Sequence, residues 1–269
     1  MLTVECAFNN EKYDLPESYD VVRLRSQSLL WQKERLINLA VSWLPANCKY
    51  VAWLDCDIIF KNLNWARDTV SLLDTLQLVQ LFETCNRLPE NNSPNDRSDV
   101  CPSMVSVTHR EGYITGKFQL HGHTGYGWAA RRGLLDRHGL YEYGIAGSGD
   151  HYIAHAAYGD LFSPCIRLMM QGHRKMMQHF VDWAGPFSDS VAGRVGVVPG
   201  EIIHLWHGSS EDRQYLARHI QKAENGFDPY TDVEASPNGP LEWRPDTRTL
   251  KPGLVAMFYD YFRFPQGRR

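Results

Sequence analysis

The sequence predicts an α/β fold, because short apolar segments alternate along the chain with segments of helical periodicity. Residues 49–60 are too few for a core helix and are rich in β-branched and aromatic side chains, which is typical of a strand buried on both faces. Asn64 can cap a helix over residues 65–75, and residues 76–82 are again apolar. This order predicts a β-α-β unit with a right-handed crossover.

The other segments extend this pattern, and no internal repeat, low-complexity tract or linker divides them, so we expect a single domain over residues 1–269. In chain order we predict a strand at 2–8, a helix at 28–44, a loop at 86–103, a short apolar segment at 126–130, helices at 131–138 and 150–158, a glycine-rich segment after Ala184, and a hairpin at 195–206.

The composition limits the possible classes of protein. With 269 residues, of which 43% are hydrophobic, the chain can bury a large core. A formal net charge of -3 does not fit a protein that holds nucleic acid through overall positive charge. The six cysteines form no C-x-x-C pair, and no segment has the pattern of a signal peptide or the length of a membrane span. We therefore expect a soluble, cytoplasmic protein with reduced thiols and no membrane span.

Two carboxylates stand at the carboxyl end of the predicted strand at 49–60. Because side chains alternate along an extended backbone, Asp55 and Asp57 should point to the same side. Two acids at one point need water, a cation, or a ligand that carries a cation. Carboxylate oxygens suit Mg2+ or Mn2+, and open α/β sheets bind ligands at this end of their strands. A capped strand end with two solvated acids is the alternative.

Three further motifs follow the two aspartates. They are Gly125-Tyr126-Gly127-Trp128, Gly147-Ser148-Gly149-Asp150 and His204-Leu205-Trp206-His207-Gly208. With these motifs in this order, the chain from about Trp31 to about His219 resembles glycosyltransferases of the GT-A fold, in particular the branch that contains the Golgi galactosyltransferases. The resemblance implies a Rossmann-like, mostly parallel central sheet with flanking helices.

The resemblance also implies a role for each motif. Asp55 would contact the sugar or ribose of a nucleotide-sugar donor and lie at the metal, and Asp57 and His207 would bind Mn2+ or Mg2+. Asp150 would be the base that deprotonates a hydroxyl acceptor, with inversion at the anomeric carbon. A UDP-sugar is the expected donor. The residues expected to line its site are Asp55, Gly125, Tyr126, Gly127, Trp128, Gly147 and Gly149.

Each role has an alternative in the residues themselves. Since His204 and His207 are three apart at a strand end, we expect them to face opposite sides, so that only His207 binds the metal. Asp150 could instead stabilise the helix that it begins. His151 and His155 are spaced as a metal pair on a helix, but the sequence offers no evident third ligand. Three tryptophans are candidates for stacking on a sugar: Trp128, Trp183 and Trp206.

The chain departs from the family pattern at two places. Gly149, His151 and Tyr152 stand where the family usually has acids that hold the acceptor, so we expect a different acceptor. The family also has a longer nucleotide-binding unit before the two aspartates, so we expect either that this unit is abbreviated here or that the sequence begins inside a longer protein.

Because relatives with this motif order include bacterial and phage enzymes, the acceptor could be a glycan or a hydroxymethylated base in phage DNA. A DNA acceptor would need a basic surface, for which the candidates are Arg131, Arg132, Arg137, Arg167, Arg174, Lys175 and the tail at 263–269. The alternatives to a transferase are a metal-dependent hydrolase or phosphoesterase and a non-catalytic nucleotide-sugar-binding module.

Overall fold

The protein consists of mixed β-sheets flanked by helices. A computed structural model describes residues 1–93, 95–208 and 214–263. Its strands are β1 (Thr3–Phe8), β2 (Val21–Ser26), β3 (Tyr50–Leu54), β4 (Ile58–Phe60), β5 (Leu78–Gln80), β6 (Thr84–Arg87), β7 (Val100–Pro102), β8 (Gly127–Arg131), β9 (Val195–Val197), β10 (Glu201–His204), β11 (Val233–Ala235) and β12 (Leu241–Trp243). Its helices are α1 (Lys33–Trp43), α2 (Trp65–Leu73), α3 (Met104–Glu111), α4 (Arg132–His138), α5 (Gly149–Ala157), α6 (Pro164–Met170), α7 (Arg174–Val191), α8 (Tyr215–Glu224), α9 (Pro245–Leu250) and α10 (Pro252–Arg263).

Two four-stranded sheets position the candidate site. The first has the order β3-β8-β5-β9, in which β8 is antiparallel to both of its neighbours and β9 is parallel to β5. The second has the order β4-β10-β6-β7, in which β10 is parallel to β6 and antiparallel to β4. The α/β class is therefore confirmed. The expected mostly parallel central sheet is not found among the described strands, because β8 lies between β3 and β5 and runs against both.

The prediction that residues 49–60 form a single strand is wrong, because the chain turns after Leu54 and residues 58–60 form β4 in the second sheet. The rest of the predicted β-α-β unit is present as β3, α2 and β5, with β8 between its two strands in the first sheet. The prediction that its first strand is buried on both faces is wrong. Val51 and Trp53 are buried, whereas Ala52 and Leu54 are exposed. The reason is that only one face of β3, which carries Val51 and Trp53, packs into the hydrophobic core, whereas the face with Ala52 and Leu54 is left uncovered.

The predicted hairpin at 195–206 is also wrong. Both strands form, but β9 pairs with β5 in the first sheet and β10 pairs with β4 and β6 in the second. Gly200, which has a φ of +120°, allows the chain to turn from one sheet to the other. The chain thereby carries His204, the last residue of β10, to the end of the second sheet beside β4.

Sequence patterns missed several elements. The strand β2 lies between the predicted strand at 2–8 and the predicted helix at 28–44, where no element was predicted, and β7 lies inside the predicted loop at 86–103. The glycine-rich segment after Ala184 belongs to the long helix α7, which contains both Gly185 and Pro186. This helix forms because it buries a continuous apolar stripe: Phe180, Ala184, Phe187 and Val191.

Two further findings concern the cysteines and the possibility of a membrane-spanning helix. All six cysteines are free thiols. No described helix combines the length and the apolar character that crossing a bilayer requires.

Candidate metal and catalytic site

The two predicted aspartates lie in a tight turn between β3 and β4, which belong to different sheets. Backbone hydrogen bonds fix this turn on both sides. The Asp55 amide donates to the carbonyl of Tyr126 over 2.8 Å, and the Leu205 amide donates to the carbonyl of Asp57 over 2.8 Å. The second bond joins the turn directly to the end of β10. Segments that are about 150 residues apart in sequence therefore meet at Asp57, as the motif order predicts.

Asp57, His204 and His207 form a compact group with the properties of a metal site. Oδ2 of Asp57 lies 2.8 Å from Nε2 of His207 and 3.5 Å from Nε2 of His204, and the two imidazole nitrogens are 3.1 Å apart. All three ligand atoms lie within 4.8 Å of one another. Oδ1 of Asp57 is buried and has no hydrogen-bond partner among the described residues. A cation can share all of these atoms, and it would also compensate the buried oxygen.

The expectation that His204 faces away from His207 is wrong. Strand alternation places residues i and i+3 on opposite faces only while the chain stays extended. Here β10 ends at His204, and the chain leaves the strand at Leu205. The turn brings the exposed His207 back over the buried His204, so both rings face Asp57.

The electrostatics of the group suit a cation. Burial alone would raise the pKa of Asp57, but the hydrogen bond from His204 and the neighbouring His207 hold it below its ordinary value. The carboxylate is therefore ionised at neutral pH. Two imidazole nitrogens and one carboxylate are ligands that transition metals accept more readily than Mg2+, which prefers oxygen. Of the two expected metals, the group fits Mn2+ better than Mg2+.

A second group joins Asp55 and Asp150 through a lysine that the sequence reasoning missed. Nζ of Lys33 donates to Oδ1 of Asp55 over 2.7 Å and to Oδ2 of Asp150 over 3.0 Å. Burial disfavours the lysine's charge, but Asp150 and Asp55 outweigh it and raise the pKa of Lys33. A cation in the first turn of α1 opposes the helix dipole, and that unusual placement was the available signal.

The same group holds Asp55 away from the metal ligands. Asp55 was expected to lie at the metal, but its Oδ1 is bound to Lys33, and it is not one of the three residues whose ligand atoms converge. Asp150 lies in the first turn of α5, as predicted. Burial and the nearby Asp55 raise the pKa of Asp150, although Lys33 opposes this change. A carboxylate with a raised pKa is a stronger base than an exposed one.

The first glycine motif lies against both groups. A Cβ atom at Gly125 would lie 3.4 Å from Oδ2 of Asp150. Tyr126 adopts a φ of +77°, and its ring stacks on His123 and lies 4.6 Å from the ring of His204. Tyr126 is thus a buried support for the metal group rather than an open surface, and Gly125 is buried too, where its missing side chain lets the backbone pack against His123 and Asp150.

The other half of this motif belongs to the core. Gly127 pairs with Leu54 in the sheet, and its missing side chain makes room for Leu54 and Leu81. Trp128 is completely buried, and its ring nitrogen donates to the carbonyl of Thr124. The ring of Trp128 therefore has no surface on which a sugar could stack. Of the other two tryptophans considered for stacking, Trp206 is exposed and directly precedes His207.

The second glycine motif is explained by close packing around α5. Gly147 has a φ of +86° and lies against the guanidinium of Arg218. A Cβ at Gly149 would lie 1.8 Å from Oε1 of Glu34, so only glycine fits there. Glu34 is 2% exposed. Both glycines therefore position the start of α5, and with it Asp150, rather than presenting an open face to a ligand.

Glu34 should make the stability of the protein depend on pH. Burial, together with Asp150, raises the pKa of Glu34 from 4.5 to about 7, although Lys33 opposes this. The folded state thus holds the proton more tightly than the unfolded state, so this stabilisation is complete below pH 4.5 and is lost as the pH rises towards 7. The loss amounts to about 3 kcal/mol of unfolding free energy. Urea unfolding at several pH values should show this decline in the wild type and not in Glu34→Gln. An unchanged decline in the variant would assign it to other groups.

A cavity of about 260 Å³ adjoins Lys33. Its walls come from the carboxyl ends of β1 and β2 and from the segment that leads into α1. The residues that line it include Ala7, Phe8, Ser26, Ser28, Trp31 and Lys33. This position, at the ends of two parallel strands, is where open α/β folds bind ligands.

Comparison with known proteins gives no match for this chain among family models, curated proteins or solved structures. The chemistry of the site therefore rests on the residues that meet in it.

Proposed function

We propose that the chain is a metal-dependent glycosyltransferase of the GT-A type, which moves a sugar from a nucleotide-sugar donor to a hydroxyl acceptor. The observation that carries the proposal is the meeting of two groups at one turn. Asp57, with two histidines, is suited to a divalent cation, and Asp55, two residues earlier, is joined through Lys33 to the buried carboxylate of Asp150. A transferase of this type needs these two functions side by side, a cation for the diphosphate and a base for the acceptor.

Asp57, His204 and His207 would hold the cation. A cation bound there would neutralise the charge that develops on the diphosphate of the leaving nucleotide. Oxygen ligands from the donor would complete its coordination, since three protein ligands leave positions open. The protein keeps Asp57 ionised for this purpose and holds the two imidazoles against it.

Asp150 would accept the proton of the acceptor hydroxyl. Its raised pKa suits it to this role, and its side chain keeps 19% of its surface exposed, through which an acceptor hydroxyl could reach it. Lys33 neutralises Asp150 and Asp55 in the structure. When a donor diphosphate enters, Lys33 can exchange Asp150 for a phosphate oxygen, which frees the carboxylate to act as a base.

The cavity beside Lys33 would take the nucleotide. It places an aromatic wall, formed in part by Phe8 and Trp31, next to the lysine that would contact the phosphates. A planar base such as uracil can stack there while the diphosphate extends towards Asp57. The exposed ring of Trp206 would then lie on the sugar side, beside His207.

A glycan hydroxyl fits the acceptor better than a base in DNA. Most of the basic side chains that a DNA surface would use are engaged within the protein, and residues 264–269 of the tail lie outside the described part of the chain. The engaged side chains are Arg131 with the carbonyls of Leu73 and Leu76, Arg132 with Asp136, Arg167 with the carbonyl of Phe162, and Lys175 with Asp228. These four side chains are therefore less able to bind the phosphates of DNA, which would need several unengaged basic groups on one surface.

Release of nucleoside diphosphate tests the proposal. We expect the protein, supplied with Mn2+ and a panel of UDP-sugars, to release UDP, and to do so faster when a glycan acceptor is added. Mg2+ should support less activity than Mn2+, because nitrogen supplies two of the three protein ligands. Fe2+ belongs in the same screen, since two histidines and one carboxylate also form iron sites.

The two alternatives give different results in the same assay. A phosphoesterase would hydrolyse p-nitrophenyl phosphate and leave UDP-sugars intact. A binding module would bind a UDP-sugar in calorimetry without releasing UDP under any acceptor condition. Either result would overturn the transferase proposal.

A further inference from the structure

A second group of metal-binding residues lies buried behind Asp150, apart from the group at Asp57. It consists of His121, His151, His155 and Cys165, which come from the segment before β8, from α5 and from the first turn of α6. These residues are 4%, 6%, 0% and 1% exposed, respectively. Their ligand atoms all lie within 4.8 Å of one another. Water has almost no access to these four side chains, so their polar atoms must find partners inside the protein.

Two of the imidazole nitrogens in this group have no partner. Nε2 of His121 and Nε2 of His151 are buried and make no hydrogen bond to any described residue. Leaving such a buried atom unpaired destabilises the folded state, because it has lost its bonds to water and gained none. Two unpaired nitrogens beside a thiol are an expensive arrangement in a metal-free core, and one ion placed between them would remove the cost of both.

The outer nitrogens of His121 and His155 are held in the way that metal-binding histidines require. Nδ1 of His121 donates to the carbonyl of Gly122 over 2.6 Å, and a carbonyl can only accept. Nδ1 of His155 is 2.9 Å from the carboxylate of Asp160. A neutral ring that donates from Nδ1 keeps its lone pair on Nε2, which is the atom that faces the centre of the group. A carboxylate behind a histidine is the usual support of a zinc ligand.

One pair of inner atoms has nearly the spacing of a zinc site. Nε2 of His155 lies 3.1 Å from Sγ of Cys165. In a tetrahedral zinc site with three nitrogens and one sulfur, the ligand atoms are about 3.3–3.6 Å apart. All four ligand atoms lie within 4.8 Å of one another, so rotations of these side chains would bring them onto one ion. Nδ1 of His151 lies 3.4 Å from the hydroxyl of Thr124, which leaves its unpaired Nε2 for the ion.

We propose that His121, His151, His155 and Cys165 bind a structural Zn2+ ion through their three Nε2 atoms and Sγ. Four protein ligands and no open position make a closed site, which stabilises the fold rather than carrying out chemistry. Binding replaces the thiol proton of Cys165 with the metal, and that proton passes to solvent. The ion joins α5 to α6 and to the segment before β8, and it thereby fixes the helix whose first turn carries Asp150.

Metal content tests this proposal without reference to activity. The protein is expressed with zinc and assayed by plasma mass spectrometry as the wild type and as the double variant His204→Ala/His207→Ala, which lacks the other candidate site. We expect about one zinc ion per chain in the double variant, and in the wild type this ion together with any zinc that the group at Asp57 takes up. Cys165→Ser and His155→Gln, each added to the double variant, should lose the ion. Cys48→Ser and His138→Gln, which change residues outside both groups, should keep it.

A finer variant separates zinc binding from general damage to the core. Asp160→Asn leaves all four ligands in place but removes the carboxylate behind His155. Its zinc affinity, measured by competition with a chelating dye, should fall by roughly 10–100-fold. An unchanged affinity would contradict the assignment of His155 as a ligand.

Cobalt substitution covers the case in which the ligand variants do not fold. Wild-type protein grown with Co2+ should show the visible bands of tetrahedral cobalt together with a near-ultraviolet band from sulfur-to-metal charge transfer. A folded wild type that contains no zinc and shows no cobalt bands would overturn the proposal. Cobalt bands without the sulfur band would also overturn it, because they would place the metal away from Cys165.

Discussion

Replacing Asp150 with asparagine should lower the rate of sugar transfer by roughly 10²–10⁴-fold, the usual contribution of a general base. Asparagine has nearly the same shape and can still accept a hydrogen bond from Lys33, but it cannot take a proton. Donor binding should change little, since Asp150 itself neither lines the cavity nor belongs to the metal group, and Lys33 keeps its bond to Asp55. The measurement is the transfer rate with saturating donor and Mn2+, alongside donor affinity from calorimetry.

The pH profile gives this prediction a second measurement. Because burial and Asp55 raise the pKa of Asp150, wild-type transfer should decline on the acid side at a higher pH than an exposed aspartate would give. That limb should disappear in Asp150→Asn. The matched control is Asp136→Asn, which changes an exposed carboxylate paired with Arg132 on α4. Full transfer by Asp150→Asn would exclude Asp150 as the base, and lost donor binding would assign it to binding instead.

The sequence was sufficient to identify the parts of the site that are carried by local motifs. Asp57 and His207 are far apart in the chain, yet the order of the motifs predicted their meeting, and their side chains are in contact. Asp150 was predicted in the first turn of a helix because glycines precede it and apolar residues follow it, and it lies there. Such features depend on a few neighbouring residues, so a single sequence can show them.

Other parts of the site depend on where the chain bends. His204 was assigned to the opposite face because strand alternation was extended one residue beyond the strand, which ends at that histidine. Lys33 belongs to the site only because Asp55 and Asp150 pack beside it, and both come from other segments of the chain. Periodicity describes a residue's own element and cannot describe the elements that pack against it.

The buried histidine group shows the same limit more clearly. The spacing of His151 and His155 on one helix face is visible in the sequence, and it indicated a metal pair without a third ligand. The other two members, His121 and Cys165, come from different segments, and no spacing rule connects them. Only the packing of α5 against its neighbours brings the four together. The need for glycine at position 149 has the same kind of origin. It arises from Glu34, a buried residue of another helix, whose carboxylate occupies the place of a Cβ at Gly149.

Removing either histidine of the group at Asp57 should weaken Mn2+ binding by more than about 100-fold, because losing even a supporting partner of a metal ligand costs 10–100-fold. His204→Ala is the decisive variant. If His204 were only a packed core residue, its loss would reduce stability but leave Mn2+ affinity unchanged. If it is a ligand, as its 3.1 Å distance from Nε2 of His207 indicates, His204→Ala and His207→Ala should weaken Mn2+ binding by similar factors.

The binding is measured from the electron paramagnetic resonance signal of free Mn2+, in a Cys165→Ser background so that the buried group does not compete for metal. Asp57→Asn should have the largest effect, since it removes the charged ligand and leaves a neutral amide between two imidazoles. His138→Gln serves as the control, because that ring bonds to Ser190 and lies outside both groups. Tight Mn2+ binding that survives Asp57→Asn would place the cation elsewhere, and the transferase mechanism would then lose the group that stabilises its leaving diphosphate.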